Sequence, residues 1–178
     1  MLRVDLPVTD YLQALEIQRN LVERQIARTG PDVLLLLEHP CTITLGTRGD
    51  SAHLLAPRDV LTKHGVAVVK TDRGGEATYH GPGQLVGYPI LNLRRHKLSV
   101  RAYVEALEET IIRTLAEFSV GGVRRPGKPG VWTSEREKIA SIGVRIRERV
   151  TYHGFSLNVN MSADPSQWVV TCGMPDVR

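Results

Sequence analysis

The chain has 178 residues, 42% of them hydrophobic and 24% charged, with a net charge of +4 and a pI near 9.3. That length accommodates one domain with a sizeable core, and the composition excludes collagen-like, disordered and disulfide-built classes. The longest aliphatic run, Val33 to Leu37, is too short to cross a bilayer, and Met1 to Pro7 lacks the basic-then-apolar layout of a secretion signal, so no membrane association is expected. Two cysteines, Cys41 and Cys172, cannot build a disulfide framework and point to a reducing cytoplasm. The basic residues are scattered and no aromatics interleave with them, so nucleic acid is not an expected partner.

Asp10 to Arg28 reads as an amphipathic helix, with Tyr11, Leu15, Val22 and Ile26 on one face, a cap at Thr9 or Asp10, and a stop at Thr29-Gly30-Pro31. Val33 to Leu37 and Thr42 to Leu45 read as strands, Pro57 to His64 as a short helix closed by Gly65, and Val66 to Val69 as a third strand. The next stretch, Arg73 to Leu85, crowds four glycines, a proline, a histidine, a tyrosine and an arginine together. Glycine gives up packing and costs backbone entropy, so this density marks sharp bends or a close approach to the backbone. Gly74-Gly75 predicts a turn, Glu76 to His80 an extended run, and Gly81-Pro82-Gly83 a second turn: one wall of a binding site.

Gln84 to Leu93 is apolar but contains Gly87 and Pro89, which predicts a bulged or edge strand. Ser99 to Phe118 is a second long helix, with Gly121-Gly122 closing it. After a connector at Arg125 to Gly130 come strands at Val131 to Thr133, Lys138 to Arg147 and Thr151 to Asn160, with a hairpin turn near Arg149. Strands and helices mix without a strict βαβ rhythm. The expected fold class is therefore α/β or α+β, a mixed, largely antiparallel sheet with packed helices.

Cys172 lies in the loop-like Thr171-Cys172-Gly173, where glycine permits close approach and its N–H can face a developing oxyanion. Cys41, beside a β-branched run, fits a packing role. A cysteine attacks as its thiolate, so a catalytic Cys172 needs a cation nearby. Lys138 opens the small-residue strand Lys138-Ile-Ala-Ser-Ile-Gly143, although a lysine at a strand start is ordinarily a solvated charge. His80 and His153, each preceding a glycine, are the other candidates. No metal-ligand spacing, phosphate loop or nucleophile elbow occurs, so no metal or cofactor is expected.

Arg73-Gly-Gly-Glu-Ala-Thr-Tyr-His-Gly-Pro-Gly-Gln-Leu85, Lys138-Ile-Ala-Ser-Ile-Gly143, Tyr152-His-Gly-Phe-Ser-Leu-Asn158 and Cys172-Gly173, in that order, resemble the lipoyl(octanoyl) transferase family, as do Glu38-His39-Pro40 and Thr44-Leu45-Gly46. The resemblance implies the catalytic fold of biotin and lipoate protein ligases. It implies transfer of an octanoyl or lipoyl group from acyl carrier protein to a lysine of apo lipoyl domains, in 2-oxoacid dehydrogenases and the glycine cleavage H protein. Carried over by position, Cys172 is the acyl-thioester nucleophile and Lys138 its partner. Arg73, Gly74, Gly75, Glu76, Ala77, Thr78, Tyr79, His80, Ser141, Ile142, Gly143, Gly154, Phe155 and Ser156 are expected to line the acyl substrate. The expected organisation is a single acyltransferase domain over 1–178, shorter after Cys172 than the family. Two rival readings are an ATP-dependent lipoate or biotin ligase, which needs no cysteine, and a non-catalytic binder of acylated carriers.

Overall fold

A computed structural model describes residues 1–161, 164–170 and 174. In chain order the elements are β1 (Leu2–Asp5), α1 (Tyr11–Ile26), β2 (Val33–Leu37), β3 (Thr42–Leu45), α2 (Arg58–Lys63), β4 (Ala67–Lys70), β5 (Ala77–His80), β6 (Gln84–Ile90), α3 (Val100–Glu117), β7 (Val123–Arg125), β8 (Lys128–Trp132), β9 (Lys138–Arg147) and β10 (Val150–Asn158). The strands form two sheets. The larger has the order β1-β2-β6-β10-β9-β8-β7, the smaller β4-β3-β5. Pairing is antiparallel except between β1 and β2 and between β3 and β4. This is the mixed, antiparallel-rich architecture expected from the sequence. No described helix is long and apolar enough to cross a membrane.

Period-2 alternation gives the large sheet two apolar faces. Val86, Tyr88 and Ile90 of β6 join Val33, Leu35 and Leu37 of β2 under α1, which contributes Tyr11, Ala14, Leu15 and Val22. The alternate residues Leu85 and Phe155 turn to Ile111 and Leu115 of α3. A separate core beneath the small sheet gathers Ile43, Leu45, Tyr79, Leu61 of α2 and Val169. The Asp10 carboxylate caps α1, accepting from the N–H groups of Leu12 (2.8 Å) and Gln13 (3.2 Å). Asp10→Ala is expected to cost about 1 kcal/mol, read as a lowered urea midpoint at unchanged slope.

Three expectations change. β6 is neither an edge nor a bulged strand; it lies between β2 and β10. Pro89 is tolerated there because the β6–β10 ladder stops at Phe155↔Gly87, and the Pro89 carbonyl instead accepts from the Thr151 hydroxyl (2.7 Å). The α3 terminus is closed by Ser119 at φ +60°, not by Gly121-Gly122. Val120 and Ser119 N–H groups return to the carbonyls of Leu115 and Ala116 (3.0 and 2.9 Å), the bonding of a Schellman motif. The connector at Arg125 to Gly130 is the tip of the β7–β8 hairpin.

Candidate active site

The glycine turn hangs between the two sheets, and Arg73 holds it there. The Arg73 side chain lies in a residue only 6% exposed. Its guanidinium donates to the Thr44 carbonyl (2.7 Å) and hydroxyl (2.8 and 3.0 Å) on β3, and to the carbonyls of Gly74 (3.0 Å) and Glu76 (2.9 Å). A planar fork of donors suits such a cluster of carbonyls, and its charge survives burial. Gly46 and Thr47 N–H groups donate to Glu76 and Arg73 carbonyls (2.7 and 3.0 Å), closing the turn against the end of β3. On the other side Gly74 N–H donates to the Val144 carbonyl of β9 (3.1 Å). That N–H is spent, so it is not an oxyanion donor.

Between this turn and the large sheet lies a cavity of about 360 Å³, a size suited to a small ligand. Arg73, Gly74, Gly75, Glu76, Thr78 and His80 line it from one side; Lys138, Ser141, Ile142, Gly143, Gly154, Phe155 and Ser156 line it from β9 and β10. Ala77 and Tyr79 do not. They alternate with Thr78 and His80 along β5 and so enter the core of the small sheet. The stretch reads as one wall in sequence, but a strand has two sides. The β9–β10 wall is close-packed: a Cβ on Gly154 would overlap the Gly87 carbonyl. Val104 of α3 adds an apolar contact beside Phe155 and Ile142.

Lys138 is nearly buried, 9% exposed, with Nζ 5.2 Å from the Trp132 ring centroid, rather than a solvated surface charge. Cys172 and Gly173 lie outside the described residues. The chain around them is placed on both sides. Leu55 N–H donates to the Trp168 carbonyl and Val170 N–H to that of His53 (both 2.9 Å), with Val169 buried in the small-sheet core. Met174 lines the cavity.

Sequence reasoning named His80 and His153 but missed the rest of the polar floor. Tyr11, Tyr88, His80 and His153 line the cavity, backed by His39 and Asp72. His39 donates from Nδ1 to the Thr9 carbonyl (2.6 Å) and accepts at Nε2 from the Tyr88 hydroxyl (2.7 Å). His80 Nδ1 donates to Gln84 Oε1 (2.7 Å). His153 donates from Nε2 to Asp72 (2.9 Å), leaving Nδ1 for the Tyr11 hydroxyl (3.4 Å), and Tyr152 donates to the other Asp72 oxygen. His153 has φ +54°, and its N–H is held by Gln18 Oε1 (2.8 Å). The only sequence signal was the two histidine–glycine pairs. Their tyrosine and aspartate partners lie far off along the chain.

Burial holds all three histidines neutral by lowering their pKa values, His80 to about 3. Hydrogen bonds from His153 and Tyr152 hold Asp72 well below the usual carboxylate range. A histidine with a lowered folded pKa stabilises the fold above its unfolded value near 6.5, and that stability is lost as pH falls below it. Each contributes a slope of up to about 1.4 kcal/mol per pH unit until its folded pKa is reached. Asp72 adds a loss in the same direction below about pH 4. The urea midpoint is expected to fall steeply from pH 6.5 to pH 4, and less steeply in His80→Gln. Parallel curves for the two proteins would remove His80 from this account.

A two-sheet α/β fold with a glycine wall and a nearly buried lysine around one small-ligand cavity has the layout of a catalytic domain. A family model described as the lipoyl protein ligase A/B catalytic domain matches residues 10–177, and the chain belongs to that family. Within it, the octanoyltransferase of Solibacter usitatus is 52% identical over 165 residues, covering 93% of this chain and 74% of that protein. The octanoyltransferase of Desulfotalea psychrophila is 47% identical over 176 residues, covering 98% and 79%. Among solved structures, P. falciparum LipL1 in complex with lipoate matches with a TM-score of 0.72 at 14% identity, covering 96% of this chain and 52% of that one. Lipoate-protein ligase A bound with ATP matches with a TM-score of 0.69 at 14% identity, covering 99% and 74%. At such identities the likeness establishes the fold.

Proposed function

We propose that the chain is an octanoyltransferase that moves an octanoyl group from an acyl carrier protein onto a specific lysine of apo lipoyl domains, by way of a thioester on Cys172. The supporting observation is the convergence, in one cavity, of the Gly74-Gly75 turn, Lys138 and the small-residue walls Ser141 to Gly143 and Gly154 to Ser156, with Met174 beside them. The high identity to octanoyltransferases supplies the substrate class.

The Cys172 thiolate, favoured by the Lys138 ammonium, attacks the carrier's thioester carbonyl. Its C–S bond to the carrier breaks, and the departing sulfur takes a proton from Lys138. The target lysine's amine then attacks the acyl-enzyme, now-neutral Lys138 accepts its proton, and Cys172 leaves as the thiolate. Thioester exchange is nearly balanced and thioester-to-amide conversion runs downhill, so no ATP is consumed. Positioning supplies most of what the enzyme adds. Burying the octanoyl methylenes contributes about 0.8 kcal/mol each, with Val104, Ile142 and Phe155 as apolar wall. The acceptors in this reading are lipoyl domains of 2-oxoacid dehydrogenases and the glycine cleavage H protein, and the setting is the cytoplasm.

Mixing the purified protein with octanoyl carrier protein, without ATP, is expected to add one octanoyl mass by intact-protein mass spectrometry. Apo lipoyl domain then discharges it. Cys172→Ser is expected to abolish the adduct. An unchanged adduct eliminates Cys172 as nucleophile, and transfer that requires ATP replaces this reading with a ligase.

A further inference from the structure

The seat beneath Lys138 is assembled from three residues: Gly130 and Trp132 of β8 and Glu108 of α3. Gly130 of β8 holds φ at +127°, a region essentially restricted to glycine. A Cβ there would overlap the Ala140 carbonyl and Cε of Lys138, and would stand 3.2 Å from Nζ. The end of the lysine therefore occupies the notch left by the missing side chain. Trp132, fully buried, forms another wall and is the cross-strand partner of Lys138 at a register shift between β8 and β9. Its indole N–H donates to the Lys128 carbonyl (3.3 Å), fixing the ring.

The third residue comes from α3. Gly130 N–H donates to Oε1 of Glu108 (2.9 Å), a residue only 6% exposed on a helix that otherwise buries Leu107, Ile111 and Leu115. The second carboxylate oxygen meets Arg124 Nε at 3.3 Å. A buried carboxylate is costly relative to the leucine that would continue this apolar face. Packing alone does not call for glutamate here; holding the Gly130 backbone does.

We propose that Glu108 is a positioning residue: by anchoring the Gly130 backbone it fixes the notch, and with it the place of the Lys138 ammonium beside the acyl site. This rests on Lys138 being the partner of Cys172. The test is the rate at which iodoacetamide alkylates Cys172 at pH 7, read by peptide mass so that Cys41 serves as an internal control. Lys138→Met is expected to slow Cys172 alkylation about tenfold by removing the cation that favours the thiolate. Glu108→Met, which keeps the side-chain volume, is expected to reproduce at least about a threefold part of that loss. Glu108→Gln retains an acceptor for Gly130 N–H and is expected to restore most of it, a rescue that general loosening of the fold would not give. Should Glu108→Met not fold, Glu108→Leu, which continues the apolar face of α3 and likewise offers Gly130 N–H no acceptor, carries the same test against Glu108→Gln. Lys138→Met at the parent rate overturns the partner role of Lys138 itself. A slow Lys138→Met beside a parent-rate Glu108→Met overturns only the positioning role, as does an equal loss in Glu108→Gln.

Discussion

Arg73→Met is expected to lower the stability of the fold by about 3 kcal/mol or more. The methionine fills much of the volume but donates nothing, so the Thr44, Gly74 and Glu76 carbonyls lose the donor that gathers them. Glu76 keeps the Gly46 N–H, but the fully buried Thr44 carbonyl and hydroxyl lose a charged donor, at roughly 1–3 kcal/mol for each acceptor before relaxation. Arg73→Lys keeps the charge without the planar fork and is expected to recover only part of the loss. Urea unfolding checks both, and an unfolding free energy for Arg73→Met within about 0.5 kcal/mol of the parent would show that the clamp carries no weight. Activity is expected to disappear even at temperatures where Arg73→Met stays folded, because Gly74 and Gly75 line the cavity.

Lys138→Met is expected to slow octanoyl transfer about 100- to 10,000-fold, the range for loss of a positioned proton carrier. The methionine retains the stem that occupies the Gly130 notch, so the unfolding midpoint is expected to move little. Both half-reactions invoke the same amine, first as donor to the leaving thiol and then as acceptor from the incoming lysine. Single-turnover measurements should therefore find acylation and deacylation both slowed. A parent-like rate in both steps would leave Lys138 without a chemical role. Deacylation alone affected would confine it to the second step.

Most elements were legible because their signals are local. Thr42–Leu45 and Lys138–Arg147 emerge with the bounds that β-branching and alternation gave them, and Asp10 and Ser99 cap the two long helices. The division into two sheets was not legible, since pairing partners are set by tertiary packing that no local period encodes. Pro89 misled for the same reason: it argued for an edge, whereas a hydroxyl at Thr151 takes over at that point of a central strand. At the site, residue types with few structural uses announced themselves, the glycines and the strand-opening lysine above all. Tyr11, His39, Asp72 and Tyr88 did not, because each looks ordinary until the fold brings them together. Arg73 was picked for the cavity wall, and its hydrogen bonds also make it the fastener of the turn.

The chain entering Cys172 is tied, through Val169 and Trp168, to the core that α2 shares with β3 and β5, while Lys138 rides on the other sheet. In the proposed mechanism these two residues are partners, and groups carried by different sheets keep their distance only as well as the sheets keep theirs. Trimming a side chain such as Leu61, on the far side of the small layer, is thus expected to blunt thiol reactivity in protein that still melts cooperatively. Chemistry would register the slackening before calorimetry does.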